Sequence, residues 1–324
     1  MPGILGPCFF AALLRGMPAV LYIAWSSIHQ TLSAMHTITF ECETITPMFL
    51  SGADGSTPEL RPPSIKGALR FWWRAMNGHL DLKTLKEREG EIFGDTGRRS
   101  SFSVRVLQHA STEKQLATAS TAILPHKFKS SYKSAIQPKN AFQVEIRTDA
   151  NQQEIEALFE LSCLLGGIGG RARRGFGSIQ IIGKNGQPAS SMQSLQQLLD
   201  LLHQVNPGKF YIAKDTLGKD AVFSRFGRSE PYPYIKQIQI GRREYDIPKR
   251  VGQASHDTKG EDDRSNNRKY ATSLGSGNRL ASPIFVSACR WAGQLVSVVT
   301  TLHAVPKAGT ADLRLQDSFK TKIL

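Results

Sequence analysis

Residues 167–177 read Gly167-Ile168-Gly169-Gly170-Arg171-Ala172-Arg173-Arg174-Gly175-Phe176-Gly177, with a Gly-hydrophobic-Gly pair at each end and three arginines between them. Glycine reaches positive φ without steric cost and lets another backbone come close, so amide N–H groups and guanidinium forks at such a loop can converge on one polyanion. The flanks decide which fold holds it. Upstream, residues 150–165 carry Ile155, Leu158, Phe159 and Leu165 at helical spacing; downstream, 178–182 reads as a strand. A dinucleotide fingerprint follows a strand and opens a helix, the reverse of this order, and no Gly-Lys-Ser/Thr supplies a Walker A loop. The loop therefore joins a helix to a strand.

Working outward, residues 37–44 alternate as a strand, with Ile38, Phe40 and Cys42 on one face. A loop at 52–63 follows, then a helix predicted over 65–78, with Ser64 as N-cap and Ile65, Leu69, Trp72 and Met76 as its apolar stripe. Strands are expected at 102–107 and 142–147. The order β-α-β-β-α-β is the ferredoxin-like arrangement, whose sheet is also the platform of RNA-recognition domains. The fold expectation is α+β, with two ferredoxin-like (RRM-like) domains: 35–185, carrying the glycine loop, and 186–324, a degenerate second copy. In the second, a helix is expected at 194–203 and strands near 234–240, 284–288 and 295–302, with a mobile charged stretch at 260–269. Two insertions decorate the first: 87–101, and 108–141, which is basic through Lys127, Lys129, Lys133 and Lys139. The longer one reads as a nucleic-acid or partner contact, or equally as plain disorder.

Residues 1–34 stand apart. Their apolar runs are interrupted by Arg15 and Pro18 and lack a basic n-region, so they read as an extension outside the core fold rather than an export signal or membrane span.

The 324 residues carry 41 Lys and Arg against 27 Asp and Glu, a formal charge of +14, with 40% hydrophobic content. That surplus favours a polyanionic partner. Cys8, Cys42, Cys163 and Cys289 lie far apart, which indicates neither zinc ribbon nor disulfide framework and fits a reducing, cytoplasmic setting. With no His-x-x-x-His pair, no metal or cofactor is expected.

Lys66, Arg70 and Arg74 fall at i, i+4 and i+8 of the first helix, without an acidic residue between Glu59 and Leu80 to pair with them along the helix. They read as a solvated basic face or, with the arginine loop, as one side of a polyanion groove. Phe71 and Trp73 flank the stripe as stacking candidates or as core. The candidate RNA-binding set is Lys66, Arg70, Arg74, Gly167, Gly169, Gly170, Arg171, Arg173, Arg174, Gly175 and Gly177.

The pattern at 167–177 resembles the glycine loop of the RAMP superfamily of CRISPR-associated RNA-binding proteins. More narrowly, Ile45-Thr46-Pro47-Met48-Phe49-Leu50-Ser51-Gly52-Ala53-Asp54, then Arg61-Pro62-Pro63-Ser64-Ile65-Lys66-Gly67-Ala68-Leu69-Arg70-Phe71-Trp72-Trp73-Arg74, and Asn278-Arg279-Leu280-Ala281-Ser282-Pro283-Ile284-Phe285 are similar to the family of first-numbered subunits of the type III-B effector, the Cmr complex. That resemblance implies a non-catalytic subunit that contacts guide RNA, helps capture target RNA and assembles with other Cmr-complex subunits, without a membrane partner. The alternative is a metal-independent endonuclease acting on CRISPR precursor RNA. It needs a histidine or tyrosine near the groove, for which His79 and His126 are candidates. Asp54 and Asp95 are isolated and form no metal-binding carboxylate pair.

Overall fold

The computed structural model describes residues 35–107, 116–149, 151–227, 231–261 (side chains to 258), 281–305 and 313–324. A compact unit begins at Thr37 and runs to Leu324. Its first half contains β1 (His36–Thr44), α1 (Pro62–Met76), α2 (Leu82–Phe93), β2 (Phe102–Leu107), an inserted hairpin of β3 (Thr118–Ala122) and β4 (Tyr132–Ile136), β5 (Ala141–Thr148), α3 (Gln152–Leu165), and β6 (Ile179–Lys184) with the two-residue β7 (Gln187–Pro188). The sheet order is β2-β5-β1-β6-β7. Alternation along β1 and β5 sends Ile38, Phe40, Cys42, Phe142, Val144 and Ile146 into the core beside α1 and α3.

The second half contains α4 (Leu195–Val205), β8 (Phe210–Lys214), β9 (Asp220–Ser224), β10 (Ile235–Arg243), α5 (Ile247–Glu261), β11 (Ile284–Trp291), β12 (Gln294–Leu302) and α6 (Leu313–Thr321). The sheet order is β8-β9-β10-β12-β11, and every one of its pairings is antiparallel. Both faces are covered. Phe285, Cys289, Val296 and Val298 join the main core, while Ile284, Val286, Ala288 and Val299 pack with Ile247 and Val251 of α5 and Phe319 of α6. Strand β11 is an edge strand, yet its backbone is not bare: Ala288 N–H donates to Ser178 Oγ at 2.9 Å and Arg290 N–H to Gln180 Oε1 at 3.0 Å, while Ser287 Oγ donates to the Leu164 carbonyl. Tyr232 Oη, donating to the Leu80 carbonyl at 2.6 Å, and Asn206 Nδ2, donating to Met76 O at 2.8 Å, tie the second half to the end of α1.

Helix α1 starts three residues earlier than its apolar stripe predicts, with Arg61 as N-cap and Pro62 and Pro63 in the first turn. Proline loses no hydrogen bond there, because first-turn N–H groups have no intrahelical acceptor. Ser64 is thus inside the helix. Part of the 87–101 insertion is helix α2, capped by Asp81, whose carboxylate accepts from Lys83 and Thr84 N–H. In the longer insertion the described residues begin at 116, and its hairpin meets the first half where Ile136 and Met48 exchange backbone hydrogen bonds at 3.0 and 2.8 Å. Residues 1–34, most of the charged stretch at 260–269, and Asn278–Leu280 of the C-terminal signature lie outside the described residues. No helix among the described residues is long and apolar enough to cross a membrane.

Candidate nucleic-acid interface

After α3 ends at Gly166, the glycine loop folds back on its own chain. Ile168 N–H donates to Gly177 O at 2.9 Å, Gly177 N–H to Pro47 O at 2.9 Å and Gly170 N–H to Phe49 O at 2.7 Å. Gly169, Gly175 and Gly177 have φ of 95°, 81° and 69°. A Cβ on Gly177 would strike the Ile168 carbonyl, one on Gly169 the Phe49 carbonyl and one on Gly167 the Phe176 carbonyl. These glycines serve close packing of the protein's own backbone. Gly170 is exposed, and a Cβ there would meet Phe49 only at ordinary range. The arginines ride on a single 3-10 turn, Ala172–Arg174, entered through Arg171 in the left-handed region at φ 60°.

The turn aims its three arginines differently. Arg171 is exposed. Arg173 lies over the Phe285 ring at 4.5 Å and the Phe71 ring at 5.7 Å, and its Nη1 donates to the Ser282 carbonyl. Arg174 points inward over Phe319 at 5.6 Å. Burial lowers all three pKa values; Arg174 is held at about 10, with the charges of Arg171 and Arg173 adding to burial, and stays protonated at neutral pH.

Two cavities open beside this turn, and Arg171 lines both. One is a cleft of about 400 Å³ formed by Ser64, Ala68, Phe71 and Trp72 of α1, the loop, and Phe285. Helix α1 has no acidic residue in its first turn, so its dipole adds positive potential there, but through the dipole alone: Pro62 and Pro63 carry no N–H, and Ser64 N–H donates to the Arg61 carbonyl at 3.0 Å. The other, of about 350 Å³, lies between the loop, residues 123–127 of the inserted hairpin and α5. Phe285, Ser64 and α5 were absent from the sequence-derived site, because contacts across roughly 70 or more residues leave no local periodicity.

The other half of the predicted groove is not there. At 100° per residue, Lys66, Arg70 and Arg74 point roughly 140° around α1 from the residues that line the cleft. Arg70 Nε and Arg74 Nη1 bind Glu89 of α2 at 3.3 and 3.5 Å. Arg70 also donates to the carbonyls of Phe93 and Gly94, and Lys66 sits over the Phe102 ring at 5.0 Å. The stripe is therefore part of the seam between α1, α2 and β2. Trp73 is buried and donates to Glu154 Oε1 at 3.2 Å; of the two stacking candidates only Phe71 reaches the cleft. The open face of the first sheet is no RRM-type platform either. It presents Glu43, Glu145, Arg105 and Arg147, largely paired with one another or with Arg290, and carries no aromatic side chain.

His79 packs against Phe226, away from His126, which borders the second cavity. Asp54 accepts from Ser56 and Thr57 and Asp95 from Gly97, so both shape their own turns. Among the described residues no cluster of three His, Cys, Asp or Glu is placed to hold a metal ion. Cys42, Cys163 and Cys289 are buried free thiols, with burial raising each pKa.

A family model of the RAMP superfamily matches residues 41–180, which span β1 to the glycine loop and the start of β6. The chain is 28% identical over 179 residues to the CRISPR system Cmr subunit Cmr1-2 of Pyrococcus furiosus, covering 45% of this chain and 96% of that protein. It is 31% identical over 158 residues to Cmr1-1 of the same organism, spanning about half of that longer relative (47%). Among solved structures, the crystal structure of apo Cmr1 from Pyrococcus furiosus superposes with a TM-score of 0.55 at 19% identity, over 89% of this chain and 97% of that one. A chain of the type III-B Cmr-beta assembly bound to cognate target RNA gives 0.54 at 11% identity, over 89% and 99%. The resemblance to the RAMP superfamily, and within it to the first-numbered Cmr subunit, thus holds in sequence, and the fold likeness extends over most of the chain.

Proposed function

We propose that this chain is a non-catalytic, RNA-binding subunit of a type III-B CRISPR effector ribonucleoprotein, working in the cytoplasm with other Cmr subunits, contacting guide RNA and helping to capture target RNA. The observation that carries the reading is Arg173 held over the Phe71 and Phe285 rings in an open cleft rimmed by the exposed Arg171 and the start of α1. This combination suits single-stranded RNA: aromatic and guanidinium planes for bases to stack on, with arginine cations for phosphate. The similarity to Cmr1 proteins supplies the assembly.

The cleft also supports a binding role over a cutting one. Among the described residues its lining contains no His, Tyr, Lys, Asp or Glu, so none of those residues can take a proton from a ribose 2′-OH at neutral pH.

The finer fold reading belongs to the same proposal. In the first sheet, β1, β2, β5 and β6 stand in the order second-third-first-fourth, the ferredoxin-like arrangement of residues 35–185. In residues 186–324, β9-β10-β12-β11 is that same order when the chain is entered at β9, with β11 and β12 joined as a hairpin. The end of α6 returns to the start of β9, where Lys219 Nζ donates to the Leu324 carbonyl at 3.2 Å. The second unit is then a rotated copy of the first.

The test is the salt dependence of binding to a fluorescent single-stranded RNA. Each phosphate contact contributes about −0.7 to the log–log slope, so Arg171→Ala with Arg173→Ala should flatten it by roughly 1.4. An unchanged slope would remove the cleft from the account, and RNA shortened during the assay would overturn the non-catalytic assignment.

A further inference from the structure

The second cavity beside the glycine loop has a composition of its own. It is lined by Arg171 and Arg174 from the loop, His126 and Lys127 from the inserted hairpin, and His256 with Ser255 from α5. The His126 and His256 rings face each other with centroids 5.9 Å apart. His126 Nδ1 is buried and, among the described residues, finds no hydrogen-bond partner. Among the described residues Arg171 has no carboxylate partner either. The N-terminal turn of α5, at Pro248, closes one wall, and Gly252 lets the His126 ring lie directly against the helix. Cations from the loop and the hairpin, with a histidine from the hairpin and another from α5, thus converge on one space large enough for a phosphate group with part of its ester. Asp257 is the acidic group that acts on His126 in that neighbourhood, against His256, Lys127 and Arg171.

We infer that this cavity is a phosphate-binding pocket, in which Arg171 and Lys127 supply fixed charge and the His126 and His256 rings supply N–H donors. Its independence from the cleft is structural. The cleft is walled by α1 and Phe285, the pocket by the hairpin and α5, and only Arg171 belongs to both. The proposed RNA function enters only as the source of the phosphate.

The sign of the pH effect follows from linkage. In the empty pocket burial, and then the nearby positive charges, hold His126 below its ordinary pKa, so the ring is neutral at pH 7 and gives its Nδ1 no settled role. An anion in the pocket favours the protonated ring and raises that pKa. Binding therefore takes up a proton, and affinity rises as pH falls through the histidine range.

Sulfate is the suitable probe, being a tetrahedral dianion that does not titrate between pH 5 and 8. The whole chain, labelled with [13C]histidine, is titrated with sulfate at about pH 6 and about pH 8. The His126 and His256 signals are assigned from His126→Gln and His256→Gln. Both signals should move together, with affinity higher at the lower pH by up to roughly tenfold for each unit by which the anion raises the ring's pKa. Lys127→Gln, an exposed-loop change, should weaken binding without altering the fold. Histidine signals that ignore sulfate, or a pH-independent affinity, or an unaffected Lys127→Gln, would each overturn the pocket. Competition by RNA oligonucleotides then identifies the source: advantage to a 5′- or 3′-phosphorylated strand assigns a terminal phosphate, and equal competition by hydroxyl-ended strands assigns a backbone phosphate. Sulfate that no RNA displaces would overturn RNA as the ligand. Arg173 and Phe71 report on the cleft and His126 and Lys127 on the pocket, so the two sites fail separately.

Discussion

Two clusters of three cations meet the helices of the first half, and they have opposite fates. Lys66, Arg70 and Arg74 on α1 are drawn onto Glu89, the Phe93 and Gly94 carbonyls and the Phe102 ring. Arg171, Arg173 and Arg174 on the glycine loop face rings, a carbonyl, one another and two open cavities. Equal charge on paper thus separates into a cluster that ties α1 to α2 and β2 and one that borders two cavities. What decides is the element packed alongside: α2 brings a carboxylate to the first cluster, while the loop's neighbours bring Phe71, Phe285, Phe319 and two histidines.

The largest loss is expected at Gly177. Alanine there combines a positive φ with a collision against the Ile168 carbonyl, so Gly177→Ala should cost roughly 2–3 kcal/mol in a denaturant melt and carry RNA affinity down with it. A neutral outcome would mean the loop does not need its observed path. Next is Glu89→Gln, which leaves two half-exposed guanidinium groups without their counter-charge. A loss of about 1 kcal/mol in stability with an unaltered RNA salt slope is expected, and a changed slope would put the α1 stripe back among the RNA ligands. The double change Arg70→Ala with Arg74→Ala sharpens the same point, since it should lower the melting temperature and leave the slope within error, in contrast to the loop pair. The smallest effect concerns Phe128, fully exposed between Lys127 and Lys129 beside the phosphate pocket. If a strand continues over the hairpin, Phe128→Ala should weaken RNA binding by about 1 kcal/mol through lost stacking while stability is untouched. Unchanged affinity would confine the strand to the cleft.

Strong local periodicity was legible from the sequence alone. The helix stripe Ile65, Leu69, Trp72, Met76, the alternation of Phe142, Val144, Ile146, and the turn glycines all appear in place. Helix α2 was not legible, because Leu85 and Phe93 are its only large buried apolar residues and Gly90 interrupts the pattern. Strands β8 and β9 are five residues each, too short to separate from loop by pattern. At the site, the loop arginines were found because glycine spacing marks them. Their true surroundings were not, since Phe285 lies more than 100 residues downstream and His256 belongs to a helix without a clear apolar stripe. The basic stripe misled for the same reason: its answering carboxylate comes from the next helix, which an i,i+4 search does not reach.

The hydrogen bonds that Ser178 and Gln180 accept from β11 have a consequence for how the molecule comes apart. An edge strand with bare N–H groups recruits another strand and peels from its sheet as a separate step. Here those groups are answered from the neighbouring sheet, and Ser287 reaches across to the end of α3. Separating the halves would expose buried donors on one side and acceptors on the other. Loss of either sheet removes the support of its neighbour, so heating should give one cooperative transition for residues 37–324 in place of two, and β11 should not seed strand-to-strand aggregation while that seam is closed.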